Sequence, residues 1–328
     1  VFSVDDQEGS VWAVGKGATV LHRQGVTWSL VERSALPIEG ASPALLGLWG
    51  TPDDGLWVVG TGRTFLHRPS GQDETWEKGP LPAGVPEGMA LTAITGVPPV
   101  GASPLELWFI GTAGDAGDSM LVHYQDAPKE SDRVVEQIPL PAPTKDQGPR
   151  RLHGLWATRD AEGKTDLFLV GDANDGAILW RRRGDAWDPR TPGDVKKTFS
   201  DGESLRAVFG VGGTVWAVGG ARPAAGWRPC DRESSINNAR VAVRLVGNDW
   251  TDYSTKVAVG THIALWARNT DLVWGLLQGN RPKITRWKKE TLEIVQRNRF
   301  GYLRGLTGNK KGQVWFVGDR GAILSTRP

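Results

Sequence analysis

One short motif recurs along the chain, and its spacing constrains the fold more than any other feature. It reads Val11-Trp12-Ala13-Val14-Gly15, Leu56-Trp57-Val58-Val59-Gly60, Leu107-Trp108-Phe109-Ile110-Gly111, Leu167-Phe168-Leu169-Val170-Gly171, Val215-Trp216-Ala217-Val218-Gly219 and Val314-Trp315-Phe316-Val317-Gly318, with a divergent copy at Val273-Trp274-Gly275-Leu276-Leu277. The aromatic positions 12, 57, 108, 168, 216, 274 and 315 are 45, 51, 60, 48, 58 and 41 residues apart. Each copy is a continuous apolar run closed by Gly, the pattern of a strand buried on both faces and ended by a turn. A strand-rich unit of roughly 40–50 residues is the size of a four-stranded propeller blade, so seven copies imply seven blades.

The flanking segments supply the other strands. Ahead of the motif lies an apolar inner strand, as in Leu45-Leu46-Gly47-Leu48-Trp49, Leu152-His153-Gly154-Leu155-Trp156, Leu205-Arg206-Ala207-Val208-Phe209 and Leu303-Arg304-Gly305-Leu306. After it and a Gly-rich turn comes a third strand such as Thr19-Val20-Leu21-His22-Arg23, Thr64-Phe65-Leu66-His67-Arg68 or Ala177-Ile178-Leu179-Trp180-Arg181; Trp28, Trp76, Trp187 and Trp250 mark the fourth. This register assigns 15 of the 16 Trp to strands and leaves Trp227 in a long insertion, 221–240. The predicted fold is all-β, one seven-bladed propeller over 1–328, with blades at about 1–32, 45–80, 91–141, 151–190, 205–254, 262–296 and 302–328.

Composition removes several functional classes. Lys plus Arg is 39 and Asp plus Glu 37, a net charge of +2, which gives no electrostatic footprint for nucleic acid. No run approaches the roughly 18 apolar residues of a membrane-spanning helix. A single cysteine, Cys230, excludes an intrachain disulfide and a cysteine-based metal centre, and with no His beside it reads as a free thiol. Arg outnumbers Lys 26 to 13 and Ala, Gly and Pro are plentiful, the usage of a GC-rich genome.

The succession Val-Trp-Ala-Val-Gly at 11–15, Gly17, Val-Leu-His-Arg at 20–23 and Gly-x-x-Trp at 25–28 resembles the Trp-rich seven-bladed propellers of exported and surface bacterial proteins, including myxobacterial lipoproteins. That resemblance covers the whole chain. It implies a bacterial protein that is periplasmic, outer-membrane-associated or extracellular, and a binding or scaffold role. The segment Ser70 to Trp76 is distantly similar to the Asp-box of sialidase-like propellers, with Asp73 displaced and only Thr75-Trp76 in place, repeated at Thr27-Trp28. It implies blade geometry rather than catalysis.

Candidate contact residues fall where second strands hand over to third strands, at the mouth of the channel. They are Arg63; Asp115 and Asp118; Asp172, Asn174 and Asp175; Asp319 and Arg320. Trp227 and the last-strand residues Ile323 and Leu324 complete the set. No catalytic, cofactor-binding or metal-binding residue is assigned. His22, His67 and His123 occupy nearly the same third-strand place in successive blades, a radial array that cannot converge on one ion, and His153 and His262 read as isolated. Asp172-Ala173-Asn174-Asp175-Gly176 has turn chemistry in preference to a calcium loop. A glycosidase needs two carboxylates at a set separation, and a sialidase a Tyr nucleophile. Tyr124, Tyr253 and Tyr302 lie in or beside predicted strands.

The basic runs Arg181-Arg182-Arg183, Lys288-Lys289 and Lys196-Lys197 read as solvated strand-end or loop charge. The expected function is non-catalytic: a scaffold for protein partners in a larger assembly, with no cofactor and no nucleic acid. The alternative is a carbohydrate-binding lectin or glycoside-active propeller, which would need exposed Trp at the mouth. The chain opens on an inner strand at Val1-Phe2-Ser3-Val4 and closes on a third strand at 322–328, so the seventh blade is expected to lack its outer strand within this sequence.

Overall fold

A computed structural model describes all residues except 1–2, 6–9, 40, 54, 72–74, 102, 114–116, 128, 143–147, 161, 189–198, 200–201, 222–239, 279–281, 290, 298–301 and 327–328. Strands follow the repeat closely. The first blade is β1 (Ser3–Asp5), β2 (Val11–Val14), β3 (Val20–Gln24) and β4 (Thr27–Leu30); the second is β5 (Leu45–Thr51), β6 (Gly55–Gly60), β7 (Thr64–Arg68) and β8 (Glu77–Lys78). The third is β9 (Ala90–Val97), β10 (Glu106–Thr112), β11 (Ser119–Gln125) and β12 (Val134–Ile138), and the fourth β13 (Arg151–Arg159), β14 (Thr165–Ala173), β15 (Gly176–Arg183) and β16 (Ala186–Trp187). The fifth is β17 (Glu203–Val211), β18 (Thr214–Ala221), β19 (Val241–Val246) and β20 (Asp249–Asp252), and the sixth β21 (Thr261–Asn269), β22 (Leu272–Gln278), β23 (Lys283–Lys288) and β24 (Thr291–Arg297). The seventh holds β25 (Leu303–Gly308), β26 (Val314–Gly318) and β27 (Ile323–Ser325).

Among the described residues six sheets have four strands in sequence order and the seventh, β25-β26-β27, has three, which makes the fold a seven-bladed β-propeller. Among the described residues the helical segments are short 3-10 turns, and no helix is long and apolar enough to cross a membrane. By compactness the chain divides into two units, Val1–Ala142 with Ala157–Leu167, and Pro143–Trp156 with Phe168–Pro328.

The motif strands form the core of each unit. Trp57, Trp108, Phe168, Trp216, Trp274 and Trp315 are all buried, as are the Val, Leu and Ile residues beside them. The closing Gly has a steric cause. A Cβ on Gly60, Gly171 or Gly219 would lie 2.4, 2.0 or 1.9 Å from the carbonyl oxygen of Ala44, Arg151 or Ser204, at the start of the inner strand of the same blade. Only a bare Cα lets the two chains close there.

Directly across the ladder from each aromatic sits a third-strand partner. Trp12, Trp57 and Trp108 stack face to face on His22, His67 and His123, with ring centroids 3.8, 3.7 and 3.9 Å apart. In later blades an arginine takes the place, Arg181 over Phe168 at 5.0 Å and Arg286 over Trp274 at 5.2 Å. Cation or imidazole over an aromatic face is favourable and caps an otherwise apolar strand.

Three readings of the sequence need correction. The first strand among the described residues is Ser3–Asp5, which runs one residue past the expected Val1–Val4, of which residues 1–2 lie outside the described residues. Trp76 is buried one residue ahead of β8 and not in it. Arg181 and Arg182 are buried and not solvated, because Arg181 lies over Phe168 and Arg182 bonds Asp185 at 3.2 Å; Arg183 is exposed, and Lys196-Lys197 lies outside the described residues.

Candidate functional site

The inner strands carry a recurring irregularity at their first turn of ladder. Register shifts skip Leu46, Thr92, Arg206, Ile263 and Arg304, so one extra residue bulges at this place in blades two, three, five, six and seven. His153, following Leu152 as Arg206 follows Leu205, holds the corresponding sequence position in blade four. A bulge re-aims its side chain out of the ladder. At the same end of the sheet each second strand finishes, and in blades four and seven the residue after the closing Gly is Asp172 or Asp319. Bulge residue and acid are thereby brought together.

In the second unit Asp172 is 1% exposed and sits beneath three basic side chains. His153 Nε2 is 2.7 Å from Asp172 Oδ2 and 2.8 Å from Arg206 Nη1; Arg206 Nη2 is 3.7 Å from the same carboxylate oxygen. The Ser204 hydroxyl, fully buried, donates to Oδ2 at 2.9 Å, and Arg151 Nε lies 3.9 Å from Oδ1. Burial alone would raise the Asp172 carboxyl, but the bond with His153, the charge of Arg206 and the bond from Ser204 outweigh it and hold it below the ordinary value. His153 is driven down to about 4, first by burial and then by the charge of Arg206, so it is neutral at pH 7. A neutral imidazole can donate from Nε2 to Asp172 or accept there from Arg206, one at a time.

Ser204, His153 and Asp172 contain the residue types of a hydrolytic triad without its wiring. The hydroxyl and the imidazole both bond the same carboxylate oxygen, so the imidazole is not placed to take the hydroxyl proton.

Asp319 is paired more simply. Arg304 donates from Nε to Oδ1 at 2.9 Å and from Nη2 to Oδ2 at 2.8 Å, a closed bidentate pair. Arg63 and Arg320 occupy left-handed backbone, φ 56° and 57°, in the second-to-third-strand turns of blades two and seven. Arg63 also donates its backbone N–H to Met89 O at 2.9 Å. Asp118 is exposed; Asn174 and Asp175 form the tight exposed turn between β14 and β15, with Asn174 against the bare Cα of Gly148. Ile323 and Leu324 are half-buried on β27, which pairs with β26 on one side and, among the described residues, with no strand on the other. Asp115, Trp227, Cys230 and Asp73 lie outside the described residues.

Sequence reasoning named Asp172 and Asp319 but missed Arg151, His153, Ser204, Arg206 and Arg304. Contrary to the expectation that His153 is isolated, it sits between a carboxylate and a guanidinium. The available signal was the basic residue type, His or Arg, that interrupts an apolar inner strand at 153, 206 and 304. His262 is isolated indeed: it is 0% exposed with both ring nitrogens unpartnered among the described residues, and burial pushes it down to about 3.

In the first unit a second cluster lies where β10 and β14 begin and β13 ends. Glu106 accepts from Arg159 Nη1 at 3.0 Å and Thr165 Oγ1 at 2.7 Å, while Arg159 also donates to the carbonyls of Pro104 and Gly163 at 2.6 and 3.1 Å. His123, beside Glu106 at 3.5 Å and Glu136 at 3.3 Å, is the stacking partner of Trp108. Arg159 and Thr165 thereby tie Glu106 to the loops at Pro104 and Gly163. Every Trp among the described residues is buried or half-buried.

No family model matches the chain, and no curated protein matches it in sequence. Solved structures match it in fold. YCF48 bound to a D1 peptide aligns over 99% of this chain and 91% of its own, with TM-score 0.60 and 15% identity; YCF48 from Cyanidioschyzon merolae aligns over 99% and 93%, with TM-score 0.61 and 13% identity. The Trypanosoma rangeli sialidase in complex with the inhibitor DANA aligns over 86% of this chain and 53% of its own at TM-score 0.48 and 9% identity.

Proposed function

We propose that this propeller is a non-catalytic scaffold that holds a protein partner at the strand ends where Asp172 and Asp319 lie. The carrying observation is that both acids are already engaged within the fold, Asp172 by a hydrogen bond with His153 and the charge of Arg206, and Asp319 by a bidentate pair with Arg304. The side chains of Arg151 and Arg304 are partly exposed on strands, and the exposed Asn174 and Asp175 sit on a tight turn; a rigid surface loses little entropy on binding. YCF48, a propeller of comparable extent, has been solved with a peptide bound, and that agrees with a protein-binding use of the fold. Arg63, Asp118, Asn174, Asp175, Arg320 and the open side of β27 at Ile323 and Leu324 are further contact points in this reading, and export from a bacterial cell is its proposed setting.

The test is retention of protein on the immobilised 328-residue chain from extracts of its own cells, identified by mass spectrometry, beside a glycan array. Proteins retained by the parent chain and lost on Arg320→Glu support the scaffold. Glycan binding with no protein retained would replace it with the carbohydrate reading.

A further inference from the structure

The basic cluster at Asp172 differs from its counterpart in blade seven in one respect that has chemical consequences. Arg304 and Asp319 form a closed one-to-one pair. Around Asp172 a single buried carboxylate faces two guanidiniums, those of Arg151 and Arg206, as well as His153. The acid is 1% exposed, whereas the side chains of Arg151, His153 and Arg206 are 30%, 22% and 18% exposed. Negative charge is therefore at the floor and positive charge at the surface.

The positive charge is in surplus. Burial and the charge of Arg151 bring Arg206 down to about 10 even though Asp172 opposes the change. His153 stays neutral beside the carboxylate, first because it is buried and then because of the charge of Arg206, so it adds no charge of its own. Arg151 Nε is buried with no acceptor among the described residues, and Asp172 Oδ1 has no donor within bonding distance, so the two do not satisfy one another at 3.9 Å. A buried donor without an acceptor costs free energy that an incoming acceptor would recover.

We infer that Arg151 and Arg206, set over Asp172 and His153, form a receptor for a carboxylate of the protein partner, supplied by an acidic side chain or a chain terminus. This deepens the scaffold reading and rests on it. Guanidinium forks match the planar, two-oxygen geometry of a carboxylate, and a partly desolvated site strengthens the pairing. Asp172 acts as a positioning residue: it holds Arg206 in place from below and, being buried, does not itself meet the ligand. His153 lies between the two, its Nε2 2.8 Å from Arg206 Nη1 and 2.7 Å from Asp172 Oδ2.

The experiment follows the arginine Nε–Hε signals of the intact chain by nuclear magnetic resonance while probes are added. The probes are a blocked Gly-Gly-Asp-Gly-Gly peptide, an acetyl-Gly-Gly-Ala peptide with a free terminus, its amide, and inorganic phosphate. Saturable shifts of the Arg151 and Arg206 signals with a carboxylate peptide, absent with the amide, are expected; which acidic probe binds tighter identifies side chain or terminus. Arg151→Gln should weaken that binding about tenfold or more, and Arg206→Lys, which keeps the charge over Asp172, should weaken it while leaving the fold intact. Shifts with phosphate alone, no shifts at all, or equal binding by Arg151→Gln would overturn the inference. Retention of the native protein partner by Arg151→Gln at parent level would overturn it too and leave the scaffold reading standing; loss of all protein retention by the parent chain would sink the scaffold instead.

Discussion

The ring of Trp156 lies on the bare Cα of Gly210: a methyl group there would stand 2.5 Å from the indole. The same relationship joins Trp49 to Gly96 and Trp266 to Gly308, at 2.7 Å each. Inner-strand Trp in blades two, four and six thus packs on inner-strand Gly in blades three, five and seven. The sequence repeat is one blade long, whereas this packing repeats every two.

Substituting Ala at Gly96, Gly210 or Gly308 inserts a methyl into each contact and should destabilise by about 1–3 kcal/mol. Denaturant unfolding checks it. Equal stability of all three variants would mean that the rings are free to move aside.

Truncation of Trp57 or Trp216 to Ala should cost about 3–5 kcal/mol, because both rings are buried between sheets. A melting temperature unchanged by either would show that the motif Trp do not hold the blades.

His262 occupies the place that Leu45, Leu152, Leu205 and Leu303 fill in other blades, and it is held at about 3 in the fold against 6.5 for the free side chain. The unfolded chain therefore takes up a proton below pH 6.5 that the folded chain refuses. Stability falls as pH drops from 6.5 toward 3, by about 2 kcal/mol from this residue at pH 5. His262→Leu should flatten that part of the pH profile and raise stability at pH 7. An unchanged acid slope in the variant would refute the assignment.

Arg63 and Arg320 hold left-handed backbone that glycine adopts without strain. Replacing either by Gly should stabilise the chain by about 0.5–1 kcal/mol and reduce retention of a protein partner. Stabilisation with full retention would remove those side chains from the contact surface.

Bonds from Gly318 N to Ala322 O and from Thr326 N to Val314 O turn the even-numbered groups of β27 toward β26, which leaves the Ile323 and Ser325 amides on the side where, among the described residues, no strand pairs. Hydrogen exchange should find these two fast in isolated protein and slowed in its native assembly, where a partner strand adds. Equal exchange in both states would mean that the edge takes no partner.

The blades were legible because one strand recurs with a buried aromatic and a closing Gly, both demanded locally by packing and by backbone approach. Trp76 escaped the register because burial, not strand pairing, fixes its place. Of the site, the acids at 172 and 319 were legible as residues after the motif Gly. Their partners were not, since Arg206 reaches Asp172 from the next blade and the bulge that aims it leaves no mark in an apolar pattern beyond the charge itself.

In the proposed scaffold Asp172 and Asp319 are structural acids, and unfolding of Asp172→Asn measures this directly. Loss of the carboxylate charge leaves Arg206 without its counter-ion in a largely buried setting, and stability should fall by at least about 2 kcal/mol at pH 7. A carboxylate kept for catalysis is strained, and its removal commonly leaves stability unchanged or raises it. A variant as stable as the parent, or more so, would contradict the account.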